Sequence, residues 1–288
     1  MLTGIHVLLT YTCPYVCDHC FLHSGPSASG VFTRARLVDL LDQTVAIGTV
    51  NEVYFEGGEP TLYWPLLREG LRLAKERGLT TGIVTNAYWA ESVEDAELWL
   101  EPLRDAGLDA LTLSEDAFHG AGEDSAAARA RAAAERLGMS SGTICIPHPD
   151  ESDGVRYKGR AADKLTEGRP AVAVESLTEC PDEDLRDPGR VHVDPFGHVH
   201  LCQGVLLGNV WETPLAELTG AWEPDAHPIC GPLLRGGPAA LLAEHGLEAE
   251  GPVVSACHLC YETRKRLRER FPAALGPAGV YGLTGDPS

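Results

Sequence analysis

Three cysteines fall within eight residues near the start of the chain, in the run Cys13-Pro-Tyr-Val-Cys17-Asp-His-Cys20. A loop of that spacing can wrap three sulfurs around one metal centre. Structural zinc takes four ligands in a closed tetrahedron, and the only nearby candidates for a fourth are His19 and His23. An iron–sulfur cluster held by three cysteines would instead leave one iron open to an outside ligand. Spacing alone leaves both open. A second set, Cys180, Cys202, Cys230, Cys257 and Cys260, lies in the last part of the chain, and Cys145 stands alone between the sets. Four thiolates that include the Cys257-x2-Cys260 pair suit either structural zinc or an iron–sulfur cluster. Cys230 is then a substitute for one of the four or a spare.

The rest of the composition says what surrounds these thiols. The 288 residues carry 42 acidic against 23 basic side chains, a net charge of −19, with 44% hydrophobic content. That is a soluble, folded, acidic protein, large enough to bury a core without staples. The apolar run Ile5 to Leu9 is far short of a bilayer span, and no basic segment precedes it, so a cytoplasmic location is expected. In that compartment nine cysteines are expected as thiols rather than disulfides. A surface this negative disfavours nucleic acid and anionic membranes, which attract Lys and Arg.

From the start to about residue 165, short β-rich runs alternate with helical patterns, as in a parallel α/β sheet. Strands are expected over Ile5–Thr12, Glu52–Phe55, Thr80–Thr85, Ala110–Leu113 and Thr143–Ile146, with a sixth near Val155–Tyr157. Helices are expected over Arg34–Ile47, Pro65–Arg77, Val93–Ala106 and Ser125–Leu137. After about residue 170 the pattern changes. Val191–Cys202 reads as two short strands around a Pro-Phe-Gly turn, and a helical pattern covers Ala239–His245. Cys257 and Cys260 lead into a basic helix, Tyr261–Arg270, which Pro272 ends. The Gly/Pro-rich stretch holding Cys230 reads as mobile, and the tail from Gly276 to Ser288 as fraying.

The second strand ends in Tyr54-Phe-Glu-Gly57-Gly58-Glu59-Pro60, where paired glycines let the backbone approach a ligand and Glu59 can accept from an ammonium group. Cys-x3-Cys-x2-Cys after strand one, with Gly-Gly-Glu-Pro after strand two of a βα-repeat, resembles the radical SAM superfamily. The resemblance implies a partial (β/α)6 barrel over residues 1–170, with a [4Fe–4S] cluster on Cys13, Cys17 and Cys20. The open iron would chelate S-adenosylmethionine. It also implies that His19 packs on the adenine and that Gly57, Gly58, Glu59 and Pro60 bind the methionyl ammonium. Asn86 would lie near the cofactor, Ser114 or Glu115 at the ribose, and Lys158 to Ala161, with Arg160, at the adenine and carboxylate pocket.

Cys180, Gly197-x4-Cys202 and Cys257-x2-Cys260 resemble the Twitch domain, a shorter relative of the SPASM extension. The resemblance implies a small α+β domain over residues 171–275, followed by a tail at 276–288, in which a β-hairpin and a helix hold one auxiliary [4Fe–4S] cluster. Two clusters are therefore expected, reduced by a donor such as flavodoxin or ferredoxin. The leading expectation is an oxidoreductase-type enzyme that abstracts hydrogen from a small molecule or peptide in natural-product or peptide-modification biosynthesis, with the auxiliary cluster taking up the remaining electron. A redox-neutral epimerase is the alternative, with Cys145, expected to point inward from strand five, or Cys230 as hydrogen-atom donor. Sulfur insertion is a third route, and a scaffold with two structural metal centres a fourth. Asp116 and His119, after strand four, are the candidates for proton handling or substrate orientation, and Tyr88 with Trp89 are core or pocket wall. The basic run Arg264–Arg270 is either a solvated helix face or a counterweight to thiolate charge.

Overall fold

The structure, a computed structural model, describes residues 1–150 and 154–283. Its first half follows the strand–helix alternation: β1 (Gly4–Thr10), α1 (Arg34–Ala46), β2 (Glu52–Gly57), α2 (Trp64–Glu76), β3 (Thr80–Thr85), α3 (Val93–Asp105), β4 (Ala110–Ser114), α4 (Ala126–Arg136) and β5 (Ser140–Ile144). Parallel neighbours need a crossover, and the four helices supply it. Three of them start where a hydroxyl can cap them: Thr33, Ser92 and Ser125 accept from Arg36, Asp95 and Ala128 backbone N–H groups. The period-2 alternation sorts each strand. Ile5, Val7 and Leu9, Val53 and Phe55, and Val191 and Val193 are fully buried against the helix layer, while residues between them face the interior.

The second half consists of α5 (Arg160–Lys164), β6 (Arg190–Val193), β7 (His198–Cys202), β8 (Val205–Asn209), α6 (Leu215–Gly220), α7 (Cys230–Glu244) and α8 (Ala256–Leu267). All eight strands form one sheet in the order β5-β4-β3-β2-β1-β6-β7-β8. Strand β6 pairs in parallel with β1, and β7 alone runs against the others, antiparallel to both β6 and β8. The fold is thus α/β with a parallel-rich sheet, and the hairpin extends that sheet.

The expected strand at Val155–Tyr157 is absent: the sixth parallel strand is β6, and it lies beside β1 rather than β5. Residues 155–159 instead cross to the first cysteine loop. Gly159 takes a positive φ of 62° where an added Cβ would lie 2.4 Å from Phe21 Cα, and the Arg160 N–H donates to Cys20 O at 2.8 Å. The Cys230 segment is no mobile connection either, because Cys230 is fully buried as the first residue of α7. That helix runs through a break at Gly236 and Gly237 that lets the chain pack on the backbone of Thr178 and Glu179. Helix α8 begins at Ala256, earlier than Tyr261, because Ser255 caps it, and it stops at Leu267 before Pro272. Nor does the segment after Gly276 fray: Val280 and Tyr281 are buried, and Tyr281 Oη donates to Gly204 O at 2.7 Å. Residues 284–288 of the expected tail lie outside the described residues.

The hairpin turn depends on Asp194, which is fully buried. Its carboxylate accepts from the Phe196 and His198 N–H groups at 2.9 Å each and from Tyr11 Oη at 2.9 Å, and it meets His198 Nδ1 at 2.9 Å and His200 Nε2 at 3.3 Å. Burial pushes its carboxyl up, but His198 and His200 outweigh this and hold it well below the usual carboxylate range. A depressed carboxyl contributes stability above its unfolded pKa and loses it as pH falls. Urea unfolding should show wild-type stability falling as pH drops below about 4. Asp194→Asn should flatten that slope and cost about 2–4 kcal/mol at pH 7.

Candidate active site

The loop leaving β1 carries Cys13, Cys17 and Cys20 to the mouth of a cavity of about 660 Å³ that all three line. Burial pushes the Cys13 thiol up to about 11, and burial with the neighbouring Cys20 and Cys13 sulfurs pushes Cys17 up to about 12. Thiols raised as Cys13 and Cys17 are become thiolates only beside a strong positive charge, and with Cys20 lining the same cavity they fit a cationic metal centre. Asn86 Nδ2 reaches Cys13 Sγ at 3.6 Å, and its Oδ1 accepts from Tyr88 N–H at 3.0 Å.

The glycines of the Gly57–Pro60 loop meet a different partner from the one expected. A Cβ on Gly57 would stand 2.3 Å from Thr10 O, and one on Gly58 would stand 2.2 Å from Thr12 O. The loop is laid against the end of β1, with Gly58 and Glu59 N–H groups donating to Thr10 O and Thr12 O at 2.7 and 2.9 Å. Both glycines still line the cavity. Glu59 does not hold its carboxylate out for an ammonium group: it is fully buried and outside the cavity lining. It accepts from Thr61 N–H at 3.0 Å, Thr61 Oγ1 at 2.5 Å, Thr85 Oγ1 at 2.9 Å and Asn86 N–H at 2.9 Å. Three donors reach Oε1 and one reaches Oε2, and through them Glu59 fastens the β2 loop to the end of β3. Pro60 begins the short turn that follows.

Asp116, His119 and His19 come together beside Cys17. Asp116 accepts from the Phe118 N–H at 3.0 Å and meets His119 Nδ1 at 2.8 Å, and His119 Nε2 lies 3.4 Å from Cys17 Sγ. His119 therefore addresses a cysteine of the loop. His19 lines the cavity with its ring stacked on Phe118 at 4.5 Å, and burial lowers its pKa to about 4, so it is neutral at pH 7. Ser114 lines the cavity, whereas Glu115 is ion-paired with Arg131 on the outer side. Arg160 braces the cysteine loop from behind, donating to Cys17 O at 2.6 Å and Ser24 O at 2.5 Å, and is not in the lining. Cys145 is exposed just past the end of β5, where Ile144 and Ile146 on either side of it line the cavity and Cys145 does not.

The second cysteine set gathers on the β7–α8 side. Burial raises the Cys230 thiol, and Cys260, Cys202 and Cys180 raise it further. Cys260 is raised to about 11 by burial and by Cys202 and Cys180, against the pull of Arg264. Cys257 donates to Asp182 Oδ2 at 2.8 Å. Arg264 of the basic run is no solvated residue: it is buried, donating to Gln203 O at 2.8 Å and Cys260 O at 3.3 Å. Lys158 sits between this group and the cavity, its Nζ 3.5 Å from Cys202 Sγ. Burial works against its charge, but Cys202 and Glu183 hold its pKa above the ordinary range.

Deeper in the barrel lie residues not singled out in the sequence: His6, Tyr54, Glu56, Arg190 and His192 all line the cavity. Their signal was a polar side chain at every second position of Gly4-Ile-His-Val, Glu52-Val-Tyr-Phe-Glu and Arg190-Val-His-Val.

The model of the Radical SAM superfamily matches residues 7–137, the stretch that builds the cysteine loop, the Gly57–Pro60 loop and the first four strands. The chain thus carries a radical SAM domain, and such a domain implies S-adenosylmethionine and one [4Fe–4S] cluster. YydG of Bacillus subtilis (strain 168), whose name assigns it to peptide biosynthesis, is 24% identical over 115 residues, 40% of this chain and 36% of that protein. The match therefore spans just over a third of this relative. The solved structure of native anSMEcpe with bound AdoMet aligns over 94% of this chain and 97% of its own, with a TM-score of 0.50 and 15% identity, which shows a shared fold. BtrN in complex with AdoMet and 2-DOIA aligns over 76% of this chain and 82% of its own, with a TM-score of 0.49 and 16% identity. No helix among the described residues is long and apolar enough to cross a membrane.

Glu59→Gln offers an amide hydrogen to a ring of donors. Urea unfolding should show a loss of about 2–3 kcal/mol, with weaker S-adenosylmethionine binding as Asn86 is released.

Proposed function

We propose that this chain is a radical SAM enzyme that oxidises a peptide or polar small molecule, with residues 1–170 holding the S-adenosylmethionine cluster and residues 171–275 an auxiliary cluster of the Twitch type. The observation that carries this reading is that one cavity runs between both cysteine sets, bounded by Cys13, Cys17 and Cys20 on one side and by Lys158 and Gln203, beside Cys202, on the other. When bound, S-adenosylmethionine and the first [4Fe–4S] cluster supply a deoxyadenosyl radical, and the auxiliary cluster supplies an electron acceptor.

The chain's own residues do the rest. Cys13, Cys17 and Cys20 would hold the first cluster, and Gly57 and Gly58 offer backbone at the cavity wall for a cofactor ammonium. Asp116 fixes the His119 ring toward Cys17, and His19 and Ser114 offer a neutral ring and a hydroxyl to the nucleoside. Cys180, Cys202, Cys257 and Cys260 would hold the auxiliary cluster, with Cys230 packed against them and Arg264 and Lys158 balancing their charge.

A polar interior lined by Glu56, Tyr54, Arg190 and His192 suits a polar substrate, and the likeness to YydG supports a peptide. Epimerisation through a cysteine donor gains no support from geometry, since neither Cys145 nor Cys230 lines the cavity. An electron donor such as flavodoxin or ferredoxin would supply reducing equivalents.

After anaerobic reconstitution, wild type should hold about eight irons per chain and the Cys13/Cys17/Cys20→Ala variant about four, with deoxyadenosine release abolished. Cys202→Ala should also hold about four irons while still releasing deoxyadenosine. Deoxyadenosine from the triple variant would sink the first assignment; about four irons in wild type, with zinc on the second set, would sink the auxiliary cluster.

A further inference from the structure

Among the described residues three groups of metal-ligating side chains gather, and two of them are already spoken for. Asp194, His198 and His200 close the hairpin turn, and their contacts to one another have hydrogen-bond geometry. His19, Asp116 and His119 belong to the surroundings of Cys17. The third group, His6, Glu56 and His192, serves neither purpose.

These three stand on adjacent parallel strands, β2, β1 and β6, with His6 level with His192 and two residues from the level of Glu56. All three face the cavity, beneath the cysteine loop that leaves the end of β1. Glu56 Oε1 lies 2.9 Å from His192 Nε2 and 3.3 Å from His6 Nδ1. Neither contact has in-line hydrogen-bond geometry, and Glu56 Oε1 and His6 Nδ1 are both buried without an in-line partner; against the upward push of burial, the two imidazoles still hold the Glu56 carboxyl below the usual carboxylate range. His192 is also more than nine-tenths buried, at 8% exposure, with its Nδ1 unpartnered. Leaving several buried polar atoms unpaired is costly, so such a group calls for a ligand. Nitrogens this close to a carboxylate oxygen, yet not aimed at it, are arranged to converge on a third point. Two donors bound to one zinc ion at about 2.1 Å lie about 3.0–3.4 Å apart, the spacing found here.

We infer that His6, Glu56 and His192 bind a divalent first-row transition metal of the zinc or ferrous class. Two imidazoles and one carboxylate suit that class better than magnesium or calcium, which prefer all-oxygen shells. Three protein ligands leave positions open, and those positions face the cavity, where a carboxylate, carbonyl or hydroxyl oxygen of a bound substrate can complete the shell. The metal would anchor a polar end of the substrate on the barrel floor, below the cysteine loop. The inference does not depend on the proposed oxidation.

The test uses protein with its clusters reconstituted, so that zinc cannot occupy empty cysteines, then equilibrated with zinc chloride and desalted. Wild type should retain one zinc per chain, and His6→Ala and Glu56→Gln should retain less than a tenth of that, with iron content unchanged. The zinc X-ray absorption spectrum of wild type should show nitrogen and oxygen neighbours at about 2.0–2.2 Å and no sulfur at about 2.3 Å. Loss of zinc from wild type on desalting, equal zinc in wild type and variants, or a sulfur shell would overturn the site. Should both variants fail to fold, the wild-type spectrum still decides.

Discussion

The buried carboxylate of Glu59 is the constraint on which the first cysteine site depends. It is fully removed from water, where an ion survives only if its oxygens are hydrogen-bonded, and four donors from Thr61, Thr85 and Asn86 meet that demand. In doing so they join the ends of β2 and β3. The same loop lies on Thr10 and Thr12 so closely that only glycine fits at 57 and 58, which joins the end of β2 to β1. Asn86, held by this latch, touches Cys13. Burial pushes the Glu59 carboxyl up while its hydrogen bonds pull it down, with burial the larger influence. The motif is thus first a fastening between three strands and only through that a wall of the cavity.

Much of this architecture was legible in the sequence. Short β-rich runs and apolar residues at helical spacing gave the first five strands and four helices to within a few residues, because those signals are local. The cysteine spacing and the Gly57–Pro60 loop pointed to the radical SAM domain. Illegible were the features decided by distant partners. Nothing in Val155–Tyr157 says that Gly159 will be drawn to Cys20 instead of β5, and nothing near Arg190 says that β6 will choose β1. The burial of Cys230 and Tyr281 likewise depends on packing across the chain, so a glycine- and proline-rich composition misled there.

Side-chain direction was the other gap. Glu59 and Arg160 read as cofactor contacts because of where they fall in a motif, yet both spend their polar atoms on backbone or hydroxyl partners. Cys145 read as inward-facing, yet it is exposed just past the end of β5. His6, Glu56 and His192 went unnoticed because the three lie on strands far apart in sequence, and only the pairing of β1 with both β2 and β6 assembles them.

That pairing sets an order of events during synthesis. Strand β1 is central, with β2 on one edge and β6 on the other. Its second edge stays unpaired until Val193 has left the ribosome, and the contact between His23 and Tyr261 Oη at 3.0 Å waits longer still. The cysteine loop emerges well before Val193 and Tyr261, whose elements complete its enclosure. Contacts of such long range form slowly. Cys13, Cys17 and Cys20 are therefore open for a long interval, and the finished fold then closes over them.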